Sequence, residues 1–528
     1  MDNIDRELLY MLLEAEKTGE PVSTWELAGS KTSNPTERNV LDGLYRYHLR
    51  RLAEQGFVIE EKTTRGKQKI TYYRINPKKI LCVNGSLFLL VNPIMIYECI
   101  SGDTLIPFPN GKIKYVKEIN PNQPGEIFSA RINGVLKRAG SKVRSVLEVD
   151  NYQKVVYKGL RPVFKLKTRY FEIEATHDHL FFVRSNNPKD GGKATWKPLC
   201  KINVGEKILG VRKLPFTPTV NPPLSVEQSQ CIGCYVGDGW FDGKYNVGIA
   251  AESSQAEEYA NLFAASFNVT PHERRDGFVI TSKQLANLIK TLGLNVKSPY
   301  RDIPDVICQA PLSHQIAFIS GLLDTDGSVI IQHGVRISFF STSLRLIQKL
   351  QLILLRFGIL SSMQYRDLTG KPMITKNGEV IGHTRRPDYT LNVCGINALK
   401  LARLLTPLNI EKRRRLNELV EHYPHPYYNL NSKGVTPVNE NLAFFKVVEI
   451  KPSGVKPVYD VIQTTNQNFI AAGIVAHNCP YANECNACNK PIKFYKTKKG
   501  QLRVRGCRLL AEAPDHVKET VYKHLSGE

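Results

Sequence analysis

Residues 458–479 read VYDVIQTTNQNFIAAGIVAHNC. Short runs of β-branched and aromatic residues alternate there with Asn, Gln and Gly turn signals, the texture of an all-β unit. The run closes on three reactive side chains, His477, Asn478 and Cys479. The same texture begins at Cys99, includes KLKTRYFEIEATHDHLFFV, stops near Pro222 and returns at about Phe444. Cys99, followed by ISGDTLI, opens the unit, so nucleophiles stand at both edges of one β-rich segment.

Those edges carry a definite chemistry. A cysteine thiolate can attack the carbonyl that precedes it, so Cys99 can convert the 98–99 amide into a thioester that a second thiol, Cys479, captures. Asparagine can close a succinimide on its own carbonyl through its amide nitrogen, which lets Asn478 cut the chain before Cys479. His477 is placed to act as acid, base or oxyanion donor. The first exchange is uphill, and a distorted peptide contributes only about 1 to 4 kcal/mol. A proton donor for the leaving nitrogen is therefore required. Thr176 and His179 form a TxxH pair at a strand end, where a histidine near its working pKa can supply that proton.

With this set the chain resembles the inteins, the self-splicing members of the Hedgehog/intein (HINT) family. Cys99 with SGDT resembles the family's first block, and Thr176 with His179 its TxxH block. Residues 458–479 resemble its last two blocks, onto which Asp460, His477, Asn478 and Cys479 carry over. The resemblance implies an all-β HINT splicing domain, excision of residues 99–478 with ligation of the flanks, and no cofactor for splicing. It also implies a part for Asp460 in thiol activation and proton transfer. One position departs: the family often has a histidine before the Asn-Phe of this region, and here it is Gln467. What assists Asn478 is left open.

Between the two β stretches, residues 221–425 form a helix-rich block with an internal repeat. Each copy reads helix end, strands, helix, strand, helix, beginning at GDGW and at TDGS, which predicts an α+β unit of two half-domains related by a pseudo-two-fold axis. CIGCYVGDGW and FISGLLDTDG are apolar helical stretches whose glycines suit close packing, each ending in an acid. They resemble the paired motifs of LAGLIDADG (DOD-type) homing endonucleases. The resemblance implies cleavage of double-stranded DNA by a monomeric unit, with Asp238 and Asp326 holding a divalent metal, Mg²⁺ being the natural choice. SPYRDIP resembles the family's lysine-x-Ile-Pro block, with Arg301 in the lysine's place; a guanidinium does not readily release its proton. Asp324 is read as a capping residue, and Cys231 with Cys234 as two packed thiols.

The β unit is thus split into 99–220 and 426–478, and both lie inside flanking sequence. Residues 1–80, in a flank continuing to 98, read as helix, helix, basic helix (DGLYRYHLRRLAEQG) and hairpin, with Leu44, Tyr47, Leu49 and Leu52 on the apolar face. That order resembles a winged helix-turn-helix, which implies operator DNA as a partner. ILCVNGSLFLL reads as buried strands. In 479–528, Cys479, Cys485, Cys488 and Cys507 form a set suited to zinc or an iron–sulfur cluster.

A net charge of +23 favours a polyanionic partner, and nucleic acid leads. The first residues lack a signal-peptide pattern, no stretch approaches a membrane span, and eleven cysteines do not make a secreted disulfide framework. A soluble, cytoplasmic chain is expected. Two other readings stay open: a HINT protein that cleaves without ligating, and a DNA-binding regulator whose central block is nuclease-inactive.

Overall fold

The computed structural model describes residues 99–478 apart from 122, 134–143, 187–193, 219–220, 333, 368, 371, 375–379, 384–385, 423–433 and 463. Before these it describes 3–76, apart from 16–21, 55–56 and 66–67, together with 80–83 and 86–89; after them, 484–485, 490–491, 493–496, 502–505, 518–519 and 522.

The amino-terminal unit runs α1 (Asn3–Ala15), a short strand Val22–Ser23, α2 (Thr24–Gly29), α3 (Pro35–Glu54) and a hairpin of Val58–Arg65 with Gln68–Ile75. The last strand lies centrally in a three-stranded antiparallel sheet. Ser23 starts α2 with a capping box: its hydroxyl accepts from the Glu26 N–H, and the Glu26 carboxylate accepts from the Ser23 N–H. The inner face of α3 is Tyr45, His48, Leu49 and Leu52, whereas Leu44 and Tyr47 are 37% and 63% exposed. Leu49 and Leu52 thus face inward as expected, while Tyr45 and His48 take the inward places expected of Leu44 and Tyr47. A polar contact explains it: the buried carboxylate of Asp5 on α1 lies 2.8 Å from His48 Nδ1 and also meets Arg51, which draws that side of α3 inward.

Residues from both sides of the central block build one ten-stranded sheet. Its strands run in the order Lys154–Thr168, Glu172–Ala175, Ile100–Ser101, Leu442–Ile462, Lys207–Val211, Leu180–Arg184, Ile474–His477 and Asn468–Ala471, with Ala194–Pro198 and Val435–Pro437 joined at its sides. Extra pairings of Lys154–Thr168 with Leu442–Ile462 and of Lys207–Val211 with Ile474–His477 fold the sheet back on itself. Inward residues such as Phe181, Phe445, Ile470 and Val475 are fully buried between these strands.

The central block contributes α4 (Val226–Asp238), α5 (Ser253–Phe267), α6 (Lys283–Thr291), α7 (Asp305–Gln309), α8 (Leu312–Asp326), α9 (Leu344–Leu354), α10 (Ile396–Ala402) and α11 (Ile410–His422). A four-stranded antiparallel sheet springs directly from the end of α4 and another from the end of α8, and the two have the same order: first, second, last and third strand for residues 239–281, and the corresponding path for 327–394. The helices α4 and α8 pack backbone to backbone. A Cβ at Gly233 would lie 2.1 Å from the Phe318 carbonyl oxygen, and one at Gly321 would lie 2.1 Å from that of Gln230. Only glycine permits that approach.

The block is fastened to the β unit. Arg345 on α9 pairs with Glu118, and Gln351 Nε2 donates to the Tyr170 carbonyl over 2.7 Å. The flanking segments also meet, since Ile80–Val83 pairs with Ser86–Leu89 and, through Val83 and Cys485, with Glu484–Cys485. The expected strands in ILCVNGSLFLL are present, and the burial expected of them lies outside the described residues. No described helix is long and apolar enough to cross a membrane.

Candidate functional site

The first cluster gathers at the loop Thr176–His179. The strand before this loop pairs with the strand that follows Cys99, through Ala175 and Ile100. The strand after it pairs with the strand that ends at His477, through Phe181 and Ala476. One loop thus touches both edges of the β unit. On its other side, Ile100–Ser101 pairs with Tyr459 and Val458, which brings Asp460 to the same region.

Cys99 is fully buried against Val163 and Val458. Its N–H donates to Thr176 Oγ1 over 3.0 Å, and the Thr176 N–H donates back to the Cys99 carbonyl over 2.9 Å. Asp460 is also buried. His179 packs at a tilt against Phe181 at 4.9 Å and His477 edge-on against Trp196 at 4.6 Å, both ring-centroid distances. Burial pushes the His179 imidazole down to about 3, helped by the neighbouring His477, and burial pushes His477 down to about 3 as well. His179 is thus held away from the ordinary value expected of it, and both rings are neutral at neutral pH.

At the other edge, the Asn478 N–H donates to the Gln467 carbonyl over 3.1 Å, and Asn478 Nδ2 donates to Thr464 Oγ1 over 3.0 Å. Neither Thr464 nor Asp178 is among the residues the sequence reading singles out. Asp178 is buried within the TxxH loop with His177 Nδ1 3.8 Å away, and burial raises its carboxyl to about 8. The sequence does hold a signal for Asp178, since a carboxylate set among Thr, His and apolar strand residues has little water to ionise into. For Thr464 it holds none.

The second cluster lies where α4 and α8 end. Asp238 and Asp326 close the two helices. Burial raises both carboxyls, and Asp326 reaches about 7 with Asp238 adding to the rise. Arg301 is buried and donates to the carbonyls of Val236 (2.8 Å), Gly237 (2.6 Å), Tyr235 (3.3 Å) and Gly239, so it caps the end of α4. Lys412, on α11, does the same for α8, with Nζ donating to the carbonyls of Leu323 (2.8 Å) and Asp324 (2.6 Å). In the sequence it lies within EKRRR and reads as a solvated basic run, which hides it. Two half-buried carboxylates at helix ends, beside the buried Arg301 and the half-buried Lys412, make one electrostatic site.

A divalent cation suits this pair. Burial raises both carboxyls and Asp238 adds to the rise at Asp326, and a hard dication with oxygen ligands would favour their charged forms. No group of three or more His, Cys, Asp or Glu side chains converges among the described residues, so the side-chain donors here are the two aspartates. The Asp324 carboxylate accepts the N–H groups of Leu408 and Asn409 at 2.9 Å each, a capping arrangement. Cys231 and Cys234 are free, fully buried thiols, the first raised to about 12 by burial. Cys479, Cys488 and Cys507 lie outside the described residues, and Cys485 is known only by its strand position.

The family model of the intein splicing domain matches residues 106–478. Curated relatives include the ribonucleoside-diphosphate reductase NrdEB subunit alpha of Bacillus subtilis (strain 168), 23% identical over 410 residues that cover 72% of this chain and 36% of the relative. An iron-sulfur cluster assembly SufBD family protein of Mycobacterium leprae (strain TN) is 23% identical over 419 residues, 72% of this chain and 44% of the relative. The chain thus spans less than half the length of these relatives. Among solved structures, a G-1F mutant of the Ssp DnaB mini-intein variant M86 aligns over 72% of this chain and 99% of its own, with 13% identity and a TM-score of 0.25. I-DmoI in complex with DNA and Ca aligns over 38% of this chain and 98% of its own, with 16% identity and a TM-score of 0.26.

Proposed function

The chain belongs to the intein splicing-domain family, and from that premise we propose that Cys99, Cys479 and Asn478 carry the excision of residues 99–478 and the joining of the flanks. The Cys99 thiol adds to the carbonyl of residue 98, its own nitrogen leaves with a proton, and a thioester results. The Cys479 thiol takes over the acyl group. Asn478 Nδ2 then attacks the Asn478 carbonyl, closing a succinimide and freeing the Cys479 amine, which displaces sulfur to restore an amide. Thr176 holds the first amide, the N–H of His179 serves its leaving nitrogen, Asp460 assists the thiol, and His477 serves the second cleavage.

The observation that carries this reading is the loop Thr176–His179, which borders the Cys99 strand on one side and the His477 strand on the other. An acyl group can pass only between groups held close, and the sheet is what brings together the strands beside Cys99 and His477, far apart in sequence order. Expression of the full chain followed by intact mass measurement tests it. Wild type yields two species, the joined flanks and the freed insert; Cys99→Ala and Asn478→Ala do not.

We further infer that residues 221–425 cut double-stranded DNA as a pseudo-two-fold monomer. The paired helix ends with Asp238 and Asp326, the glycine-mediated contact of α4 with α8 and the twice-repeated sheet order support this. Mg²⁺ held by the two aspartates would supply charge stabilisation at the scissile phosphate. Arg301 and Lys412 hold the helix ends and set the field around the carboxylates. A linear or nicked product from plasmid bearing the joined flanking gene, formed only with Mg²⁺, tests this reading.

The flanks are inferred to join into a cytoplasmic DNA-binding regulator. The order α1, strand, α2, α3 and hairpin is that of a winged helix, and α3 exposes Arg46, Tyr47 and Arg50 on one side, as a helix entering the major groove of an operator would. The cysteine set is proposed to hold zinc or an iron–sulfur cluster after ligation.

A further inference from the structure

We propose that Thr464 is the positioning residue for cyclisation of Asn478, filling the place left by the missing histidine at Gln467. The inference rests on the reading of 99–478 as a self-excising segment. Gln467 itself is poorly placed for that role. Its side chain is exposed, and its main chain sits at φ +56°, the left-handed end of a turn closed by the Gln467 N–H on the Thr464 carbonyl at 3.2 Å. Its contribution is the carbonyl that accepts the Asn478 N–H.

The Thr464 hydroxyl is buried and has a fixed set of partners. It donates its single proton to the Asn468 carbonyl over 3.0 Å and accepts the Asn468 N–H over 3.0 Å. With that proton committed, toward Asn478 it can only accept. It therefore selects the nitrogen end of the Asn478 carboxamide, which lies 3.0 Å away, and not the oxygen end. That nitrogen is the atom that must attack.

The turn cannot drift. Asn468 Oδ1 accepts the Ala130 N–H at 2.8 Å while its Nδ2 donates to the Ala130 carbonyl at 2.9 Å, and the Asn466 N–H donates to Asp150 Oδ2 at 2.9 Å. Asn478 is thus clamped twice by one anchored turn, main chain at Gln467 and side chain at Thr464. In the cyclisation the Nδ2–C bond forms and the bond from C to the Cys479 nitrogen breaks; one proton leaves Nδ2 and one arrives at the departing amine. Thr464 takes no part in bond making, and its effect is to keep the correct atom facing its target.

The test uses the full chain with Thr464→Val, which keeps shape and removes the hydroxyl, and Thr464→Ser, which restores it. Splicing is followed by intact mass, and hydroxylamine is added to reveal thioesters, because it cleaves the acyl link of the branched species that precedes cyclisation. Thr464→Val is expected to release the insert at least tenfold more slowly while yielding more hydroxylamine-sensitive chain, and Thr464→Ser to stay within about threefold of wild type. Release from Thr464→Val at the wild-type rate would overturn the proposal. So would a Thr464→Val chain inert to hydroxylamine, or a Thr464→Ser chain as slow as the valine variant, since either makes the residue a structural prop. A wild-type chain that never splices instead sinks the reading of the insert, a distinct result.

Discussion

The N–H of Cys99 and Thr176 Oγ1 are hydrogen bonded at 3.0 Å, so the nitrogen that must leave in the first step is held by a buried hydroxyl. A lost buried hydrogen bond of this kind typically costs about 0.5 to 1.5 kcal/mol, with more when the remaining donor is stranded without water. Thr176→Val is therefore expected to slow thioester formation by about tenfold, and Thr176→Ser by much less. The measurement is dithiothreitol-induced release of the amino-terminal flank from a chain that also carries Asn478→Ala. Equal rates for the threonine and valine chains would deny the contact a part in the reaction.

Three buried groups in this cluster give stability a definite pH profile. The two imidazoles are near 3 when folded and near 6.5 when unfolded, so between those values the unfolded chain binds more protons and stability is lost as pH falls. Asp178 behaves oppositely: near 8 folded and 3.8 unfolded, it binds its proton more tightly in the folded chain, so stability is lost as pH rises through that interval. Two histidines outweigh one aspartate below about 6.5, and the aspartate acts alone above it. The melting temperature of a Cys99→Ala, Asn478→Ala chain should pass through a maximum near pH 6.5 as far as this cluster sets it. Asp178→Asn should remove the decline between about 6.5 and 8 and leave the acid limb in place; a decline that survives the substitution assigns it elsewhere.

The junction chemistry is legible in the sequence because covalent order alone puts a cysteine at one edge and His-Asn-Cys at the other, and short β runs with turns imply a sheet able to close the gap. The glycine-rich helices are legible for a similar reason, since an apolar helix with glycines at its contact positions has few other uses. What escapes depends on partners distant in sequence. Asp5 meets His48 across 43 positions and so holds a polar residue on the inner face of α3. Lys412 reaches carbonyls 87 to 89 residues away, and its neighbours in EKRRR look the same in the sequence. Thr464 gains its meaning only from the 14-residue return that brings back Asn478.

Asp326 and Asp238 confront each other across the helix pair, and the nuclease reading depends on both. Asp326→Asn removes a charge and a donor oxygen without changing shape, so it should abolish DNA cutting in Mg²⁺, by at least about a thousandfold, while splicing proceeds at the wild-type rate. EDTA should do the same to cutting alone. Gel assays of plasmid cleavage read beside intact mass separate the two activities. An Asp326→Asn chain that still cuts would remove the aspartate pair from the reaction, and a wild-type chain that never cuts would favour the nuclease-inactive alternative.

Cys479 has two proposed employments, acyl acceptor before ligation and metal ligand with Cys485, Cys488 and Cys507 after it. A thiolate bound to zinc is a weaker nucleophile than a free one, because the metal takes up the electron pair that would attack. Pairing of Val83 with Cys485 already joins the two flanks in one sheet of the uncut chain, so a site spanning the cysteines has a scaffold on which to form early. Zinc added to the reduced precursor is therefore expected to slow splicing severalfold, with EDTA restoring the rate. Cys488→Ser should make splicing indifferent to zinc without altering the rate in its absence. Inhibition that persists in Cys488→Ser would place the metal on other residues, and splicing unaffected by zinc in the wild type would leave Cys479 to the acyl transfer alone.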